Sequence, residues 1–239
     1  MDATSIATIG IVAAGGFVRG MTGFGGAMMM APVLSVLLGP VPAVVTTLVL
    51  ETAAALVMFA DAIPKARWRT LAYLTLPAIA TVPFGGYLLL TLDPDLARKS
   101  IAAVVIVFSL MLLIGLRYNG SPRPLTSIAI GSVVGAMLGA TSIGAPPVIL
   151  YLLSGPESVA VTRANLTIFV TTISGVGLVM LATVGVVTTA LGLSALALSV
   201  VFLFATWIGG KLFLRLSEIA IRRIALVLML AASIPSFIL

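Results

Sequence analysis

The sequence reads as an all-α, polytopic membrane protein on three grounds. First, 61% of the 239 residues are hydrophobic and only 8% are charged, against about 25% charged residues in an ordinary soluble domain. A chain so composed cannot cover itself with a water-compatible surface. Second, its apolar runs approach the ~20 residues that a helix needs to cross the hydrocarbon core, and only short polar punctuation separates them. No stretch is long or polar enough for a separate soluble domain, so residues 1–239 read as one transmembrane domain. Third, the chain repeats itself.

Gly16, Gly20 and Gly25 in GFVRGMTGFGG recur as Gly135, Gly139 and Gly144 in GAMLGATSIGA, 119 positions later. GPVPAVVTT from Gly39 returns as GPESVAVTR from Gly155, offset by 116. PFGGYLLLTLDPDLARK, ending at Lys99, returns as WIGGKLFLRLSEIAIRR, ending at Arg223, offset by 124. Three blocks in the same order mark a duplication, with repeat one at 1–120, repeat two at 121–239 and a seam near Arg117–Pro124. Loop charges set the relative orientation, because Lys and Arg collect on the cytoplasmic side. The loop after the third segment of repeat one carries Lys65, Arg67 and Arg69, whereas its counterpart Thr183–Thr189 carries no charge. One loop later the bias reverses: Asp93 and Asp95 offset Arg98 and Lys99, while repeat two sets Lys211, Arg215, Arg222 and Arg223 against Glu218. Equivalent loops prefer opposite sides, which predicts two inverted-topology repeats.

Each repeat opens on a glycine-broken pair of short apolar segments and continues as three transmembrane helices. In repeat one the elements fall at roughly 4–20 and 25–38, then 41–61, 69–91 and 97–117. In repeat two they fall at roughly 125–140 and 145–154, then 158–183, 188–212 and 219–238. The opening segments, about 10 to 17 residues each, are short for a full crossing and read as a re-entrant or partly inserted hairpin. That leaves an odd number of crossings per half, as inversion requires. Loops 62–68 and 118–124 are expected on the cytoplasmic face, with both termini on the other. The first residues lack the basic region of a cleaved signal and read as the start of the first segment.

Composition also excludes whole classes. The net charge of +6 invites a nucleic-acid reading, but the basic residues lie between apolar runs, as membrane topology requires, rather than along one face. The chain has no Cys and no His, which removes disulfides, thiol catalysis and the usual zinc, haem or copper sites. No metal and no cofactor is expected. An integral-membrane enzyme finds no catalytic constellation in the few carboxylates that remain.

Inverted repeats with paired, Gly/Pro-interrupted apolar segments are the signature of secondary transporters. A helix broken at membrane depth frees backbone N–H and C=O groups that need partners, and its N-terminal N–H groups suit an anion. The breaks are Thr22-Gly23-Phe24-Gly25-Gly26 and Thr141-Ser142-Ile143-Gly144, followed by Ala145-Pro146-Pro147, where Pro146 removes one donor. If they meet across a pseudo-two-fold axis they form one pocket with two positive helix ends, to which Thr22, Thr141 and Ser142 add hydroxyls. Gly16/Gly20 and Gly135/Gly139 stand at GxxxG spacing, which serves close helix packing. Charged and polar residues inside the apolar runs give the second clue. Arg19 precedes the first break, Glu51 lies mid-helix, and Arg163 and Asn165 sit in the first turns of theirs. Across the repeat Arg19 aligns with Leu138, Glu51 with Thr167, and Arg163 with Thr47. The scaffold is symmetric and the chemistry is not. The arginine fork suits the oxygens of sulfonate, sulfate or carboxylate; Arg163 either binds such an anion or anchors a helix end. Glu51 either carries a proton or neutralises Arg19. The Met28–Met30 run is expected to serve packing and lipid contact.

At these residues the chain resembles the TauE/SafE sulfite exporter family. GFVRGMTGFGGAMMMAPVLSVLLGPVPAVVTT and GAMLGATSIGAPPVILYLLSG are similar to its paired glycine motifs, and the similarity runs through both repeats. The family's motif positions map onto Gly20, Gly23, Gly25 and Gly26, and onto Gly139, Gly144 and Pro146. Where the family often has three successive glycines, this chain has Gly25-Gly26-Ala27 and Gly144-Ala145-Pro146. The resemblance implies a multi-pass bacterial inner-membrane carrier of small sulfur-containing anions such as sulfite or organosulfonates. The expected site is Arg19, Thr22, Gly23, Phe24, Gly25, Gly26, Thr141, Ser142, Ile143, Gly144, Arg163 and Asn165, with Glu51 a candidate for proton coupling. Export by alternating access is the leading expectation; uptake of the same or another small anion, or an anion channel, would use the same scaffold.

Overall fold

Glycine, proline and small polar caps set where the helices begin and end. The computed structural model describes residues 2–116, 123–153, 155, 157–213 and 218–238. Helix α1 (Ala3–Thr22) starts behind Asp2, whose carboxylate accepts the Ser5 N–H, and stops at Gly23, where φ is +78°. Hydrogen bonds from Ser5 hold the Asp2 carboxyl below the usual carboxylate range. Helix α2 (Gly26–Leu38) follows, and α3 (Pro40–Ala62) begins at a proline behind Gly39. After one 3-10 turn come α4 (Trp68–Thr91), α5 (Pro94–Leu113) and α6 (Pro124–Thr141). The second half continues as α7 (Ala145–Leu152), α8 (Val159–Thr183), α9 (Thr189–Phe213), α10 (Glu218–Ser233) and α11 (Pro235–Ile238). The seam residues 117–122 and Arg215 lie outside the described residues, as do the side chains of Glu218, Arg222 and Arg223.

Seven of these helices, α1, α3, α4, α5, α6, α8 and α9, are long and apolar enough to cross a membrane. The protein is therefore a multi-pass, all-helical membrane protein. Two expectations need correction. The opening segments of the halves are longer than the sequence suggests: α1 has 20 residues and α6 has 18. Both run on through their GxxxG glycines, because each chain turns left-handed only at Gly23 and Ser142. The final segment is shorter than expected, since Pro235 follows the end of α10 and starts a separate turn of helix.

The glycines explain the packing. Helix α1 lies along α9 and α4 lies along α6. A Cβ placed on Gly16 or Gly20 would stand 2.5 or 2.0 Å from the carbonyl oxygens of Phe202 and Thr206. On Gly135 or Gly139 it would stand 2.2 Å from those of Ala78 and Val82. Advancing the first pair of glycines by 119 and moving their partners back by 124 turns one set of contacts into the other. Between these pairs α3 and α8 pack against each other. They run antiparallel: Leu48 lies on Gly177, while the chain just after α3 reaches Asn165 near the start of α8. Leu138 and Val82 close on the same glycine.

The methionine run is interior wall. Met28, Met29 and Met30 are all buried, so the lipid contact expected of them is absent: α2 is enclosed by α1, α3, α5 and α10. The outer face is apolar, with Leu76, Phe84, Val133, Val200 and Phe204 exposed, as lipid contact demands. Near the end of α9, Lys211 stacks its ammonium 3.7 Å over the Trp207 ring, an arrangement suited to the membrane interface.

Candidate functional site where the two broken helices meet

Both breaks are built on the same local plan. Thr22 Oγ1 donates to Val18 O at 2.8 Å and accepts from the Phe24 N–H at 3.3 Å. Thr141 Oγ1 donates to Met137 O at 2.7 Å and accepts from the Ile143 N–H at 3.3 Å. Each threonine thus closes the helix end that precedes its break, and Thr22 Oγ1 also lies against Phe24 O. The Ser142 hydroxyl donates to Thr141 O. The hydroxyls expected to face a ligand hold the turns in this structure. Gly23 and Ser142, 119 positions apart, both adopt left-handed backbone, which for a non-glycine residue costs about 1–2 kcal/mol.

Beyond the turns the two halves converge. One cavity of about 20 Å³ is walled by Arg19, Gly25, Ala27 and Glu51 from the first half and by Leu138, Ser142, Ile143, Gly144 and Pro146 from the second. That is room for about one water molecule. Arg19 and Leu138, 119 positions apart, both wall it. Met229 of α10 covers Gly25 and leaves no space for a side chain there. Phe24 is half-buried and packs into the apolar core.

The charge sits on one side. Arg19 Nη1 and Glu51 Oε2 are 2.9 Å apart, with the two side chains only 7% and 5% exposed. The other carboxylate oxygen accepts the Ala27 N–H at 2.9 Å, in the first turn of α2, where the helix dipole favours negative charge. A Cβ on Gly26 would stand 2.6 Å from Glu51 Oε1, so bare backbone lets the carboxylate seat there. Removing one partner of such a buried pair strands the other charge.

Two further cavities continue from Arg19. A neck of about 20 Å³ is walled by Arg19, Gly23, Met58, Arg163, Leu166 and Thr167. It shares Met58, Arg163 and Thr167 with a vestibule of about 290 Å³ that also takes in Asp61, Ala62, Lys65, Ala160 and Ala164. Arg163 reaches inward from this vestibule: its Nη2 stands 3.3 Å from where a Gly23 Cβ would be. Asn165 is drawn elsewhere. Its Oδ1 accepts the Arg67 N–H at 2.8 Å, which ties the α3–α4 loop to α8 beside the Arg67–Glu157 ion pair, and it lines none of these three cavities.

Sequence reasoning missed Ala27, Asp61, Lys65 and Met58. The offsets carried a usable signal for Leu138 and Thr167, the aligned counterparts of Arg19 and Glu51 and themselves wall residues. Among the described residues no group of three or more acidic side chains is placed to hold a metal ion.

No curated protein and no solved structure matches the chain. The family model described as sulfite exporter TauE/SafE matches residues 7–235, which takes in both broken segments, the cavities between them and the vestibule. The chain is a member of the TauE/SafE sulfite exporter family, membrane proteins that transport sulfur compounds.

Proposed function

We propose that the protein is a secondary carrier of a small sulfur-containing anion, sulfite or an organosulfonate, in a bacterial inner membrane, and that it works as an exporter by alternating access. One observation carries the reading. The cavity shared by the two broken helices is walled by a buried guanidinium and continues through a second arginine to an open vestibule. In this reading the anion enters past Arg163 and Lys65, is taken over by Arg19, and rests between Gly25 and Gly144. Glu51 is the residue through which protons are coupled. Net direction follows the gradients across the membrane, so uptake would use the same parts.

Alternating access needs two halves that exchange roles, and we read the chain as inverted repeats 1–120 and 121–239. The exchanged α1–α9 and α4–α6 packing and the antiparallel α3–α8 pair support this. Among the described residues the charged path runs to one side, as it would in a carrier caught in one state. Arg19 walls the neck and Asp61 the vestibule, whereas their counterparts Leu138 and Gly177 pack together with Leu48 and Val82. A reporter at Lys65 and another at Val186 should label from opposite faces of the membrane; labelling from the same face would remove the inverted repeat.

Binding to the purified protein over a panel of sulfite, sulfoacetate, isethionate, sulfate and acetate tests the substrate class. Sulfite or a sulfonate should bind and acetate should not; the reverse would end the sulfur-anion assignment. Arg163→Gln should weaken binding roughly tenfold or more, the loss of a charge-assisted contact worth about 1.5–3 kcal/mol. Unchanged affinity would make Arg163 a helix anchor.

A further inference from the structure

The Arg19–Glu51 pair stands where the transporter reading puts the anion. Resting on that reading, we propose that the Glu51 carboxylate is a built-in stand-in for the substrate. It occupies Arg19 Nη1 and the Ala27 N–H, the donors that the transported anion takes over, and it leaves them by taking up a proton.

A guanidinium and a helix N-terminus form an anion-binding set, and here that set already holds an anion. Both carboxylate oxygens are used, one at 2.9 Å from Ala27 N and the other at 2.9 Å from Arg19 Nη1. Space supports the exchange. The adjoining cavity of about 20 Å³ has room for one water, too little for an oxyanion of four or more heavy atoms beside an intact pair. A withdrawn carboxylate vacates a place lined by the Arg19 guanidinium and the Ala27 N–H, donors of the kind such an anion needs. Charge points the same way: two anions side by side in a low-dielectric interior repel strongly. Protonating Glu51 removes both the competitor and its charge, so Arg19 faces one negative charge before and after.

The repeat identifies these parts as one unit. The counterparts of Arg19, Ala27 and Glu51 are Leu138, Pro146 and Thr167. Guanidinium, N–H donor and carboxylate are all lost together in the second half. A carboxylate needed only to cap a helix would not require a guanidinium beside it.

Among the described residues the ionisable groups on this path are few. Arg19 faces Glu51 from α1, Arg163 lies beyond it on α8, and Asp61 of α3 and Lys65 of the following turn stand in the vestibule. From α9 the neighbour at Gly26 is Phe202, from α10 the neighbour at Gly25 is Met229, and α2, α6 and α7 add no ionisable side chain to the cavity wall. Glu51 is therefore the carboxylate in contact with the anion's donors, and one proton binds with each anion. The two move in the same direction.

The test uses the purified full chain and isethionate, whose sulfonate stays ionised throughout, with binding measured calorimetrically from pH 5 to pH 8. Affinity should strengthen as pH falls, by up to about tenfold per pH unit, since one linked proton requires it. In weakly buffered solution binding should draw in about one proton. Glu51→Gln should bind isethionate at least as tightly as the wild type at its acid limit, with no pH dependence and no proton uptake, while Asp61→Asn keeps the wild-type slope. A flat wild-type profile without proton uptake, or a slope that survives in Glu51→Gln or vanishes in Asp61→Asn, overturns the stand-in. If Glu51→Gln does not fold, the wild-type profile, proton uptake and Asp61→Asn decide between them. Failure of both isethionate and sulfite to bind at every pH would overturn the transporter reading itself, whereas pH-independent binding removes the exchange alone.

Discussion

Arg19→Leu should abolish anion binding and destabilise the protein by about 3–5 kcal/mol, because it leaves the Glu51 carboxylate buried without its partner. The side chains are only 7% and 5% exposed, so water cannot take over from the lost guanidinium. The Ala27 N–H alone would remain to hold the charge. Thermal unfolding of the detergent-solubilised variant and isethionate binding give the two readouts. Arg19→Lys restores the charge but not the planar fork, so it should recover most of the stability and little of the affinity. The sharper experiment is the double variant Arg19→Leu/Glu51→Thr, which writes the second half's own Leu138 and Thr167 into the first half. Replacing a buried ion pair by residues that pack is often neutral for stability. The double variant should therefore fold close to wild type and still fail to bind. Should Arg19→Leu bind anion normally, the site lies elsewhere; should the double variant stay as unstable as the single one, the pair is more than a mutual neutralisation.

Gly85→Ala should be the most damaging of the small substitutions in the scaffold. Its Cβ would stand 1.9 Å from the Ala136 carbonyl oxygen. Both partners are helix backbone, so no side chain can swing aside and α4 must move off α6. Overpacking of this kind costs about 1–3 kcal/mol, sometimes more. Gly209, whose Cβ would meet Phe17 O at 2.3 Å, should answer in the same way from the other half. Gly192→Ala is the control: nothing lies within 4 Å of its Cβ, and an alanine inside α9 should add up to about 1 kcal/mol of helix stability. The melting midpoints should thus move in opposite directions. Equal shifts would mean that α4 and α6 are not in backbone contact.

Much of the architecture was legible because it is written locally. The membrane class follows from composition, and the two breaks follow from glycine and Thr-Ser-Ile-Gly, whose backbone preferences act within a few residues. The recurring blocks are readable as fixed offsets, and offsets of 119 and 124 relate the packing of Gly16 and Gly20 to that of Gly135 and Gly139. Segment length was read less well. The segments read as ending near 20 and 140 run on to Thr22 and Thr141, while Gly20 and Gly139 serve the close packing that their spacing implies.

From its residues alone the chain is legible as a helical membrane protein of the TauE/SafE type, broken twice in matching places, with its charges unevenly shared between the segments around the two breaks. Those properties depend on residue type and spacing along the chain, which a sequence states outright. Which residues become partners follows from the folded arrangement. It joins Glu51 to Arg19 and to the N-terminus of α2, turns the break threonines onto their own helix ends, gives Asn165 to the Arg67 loop, and opens a vestibule at Asp61, Lys65 and Arg163. A polar side chain bonds to whatever packing brings within about 3 Å, and packing between residues remote in sequence is fixed only when the helices come together.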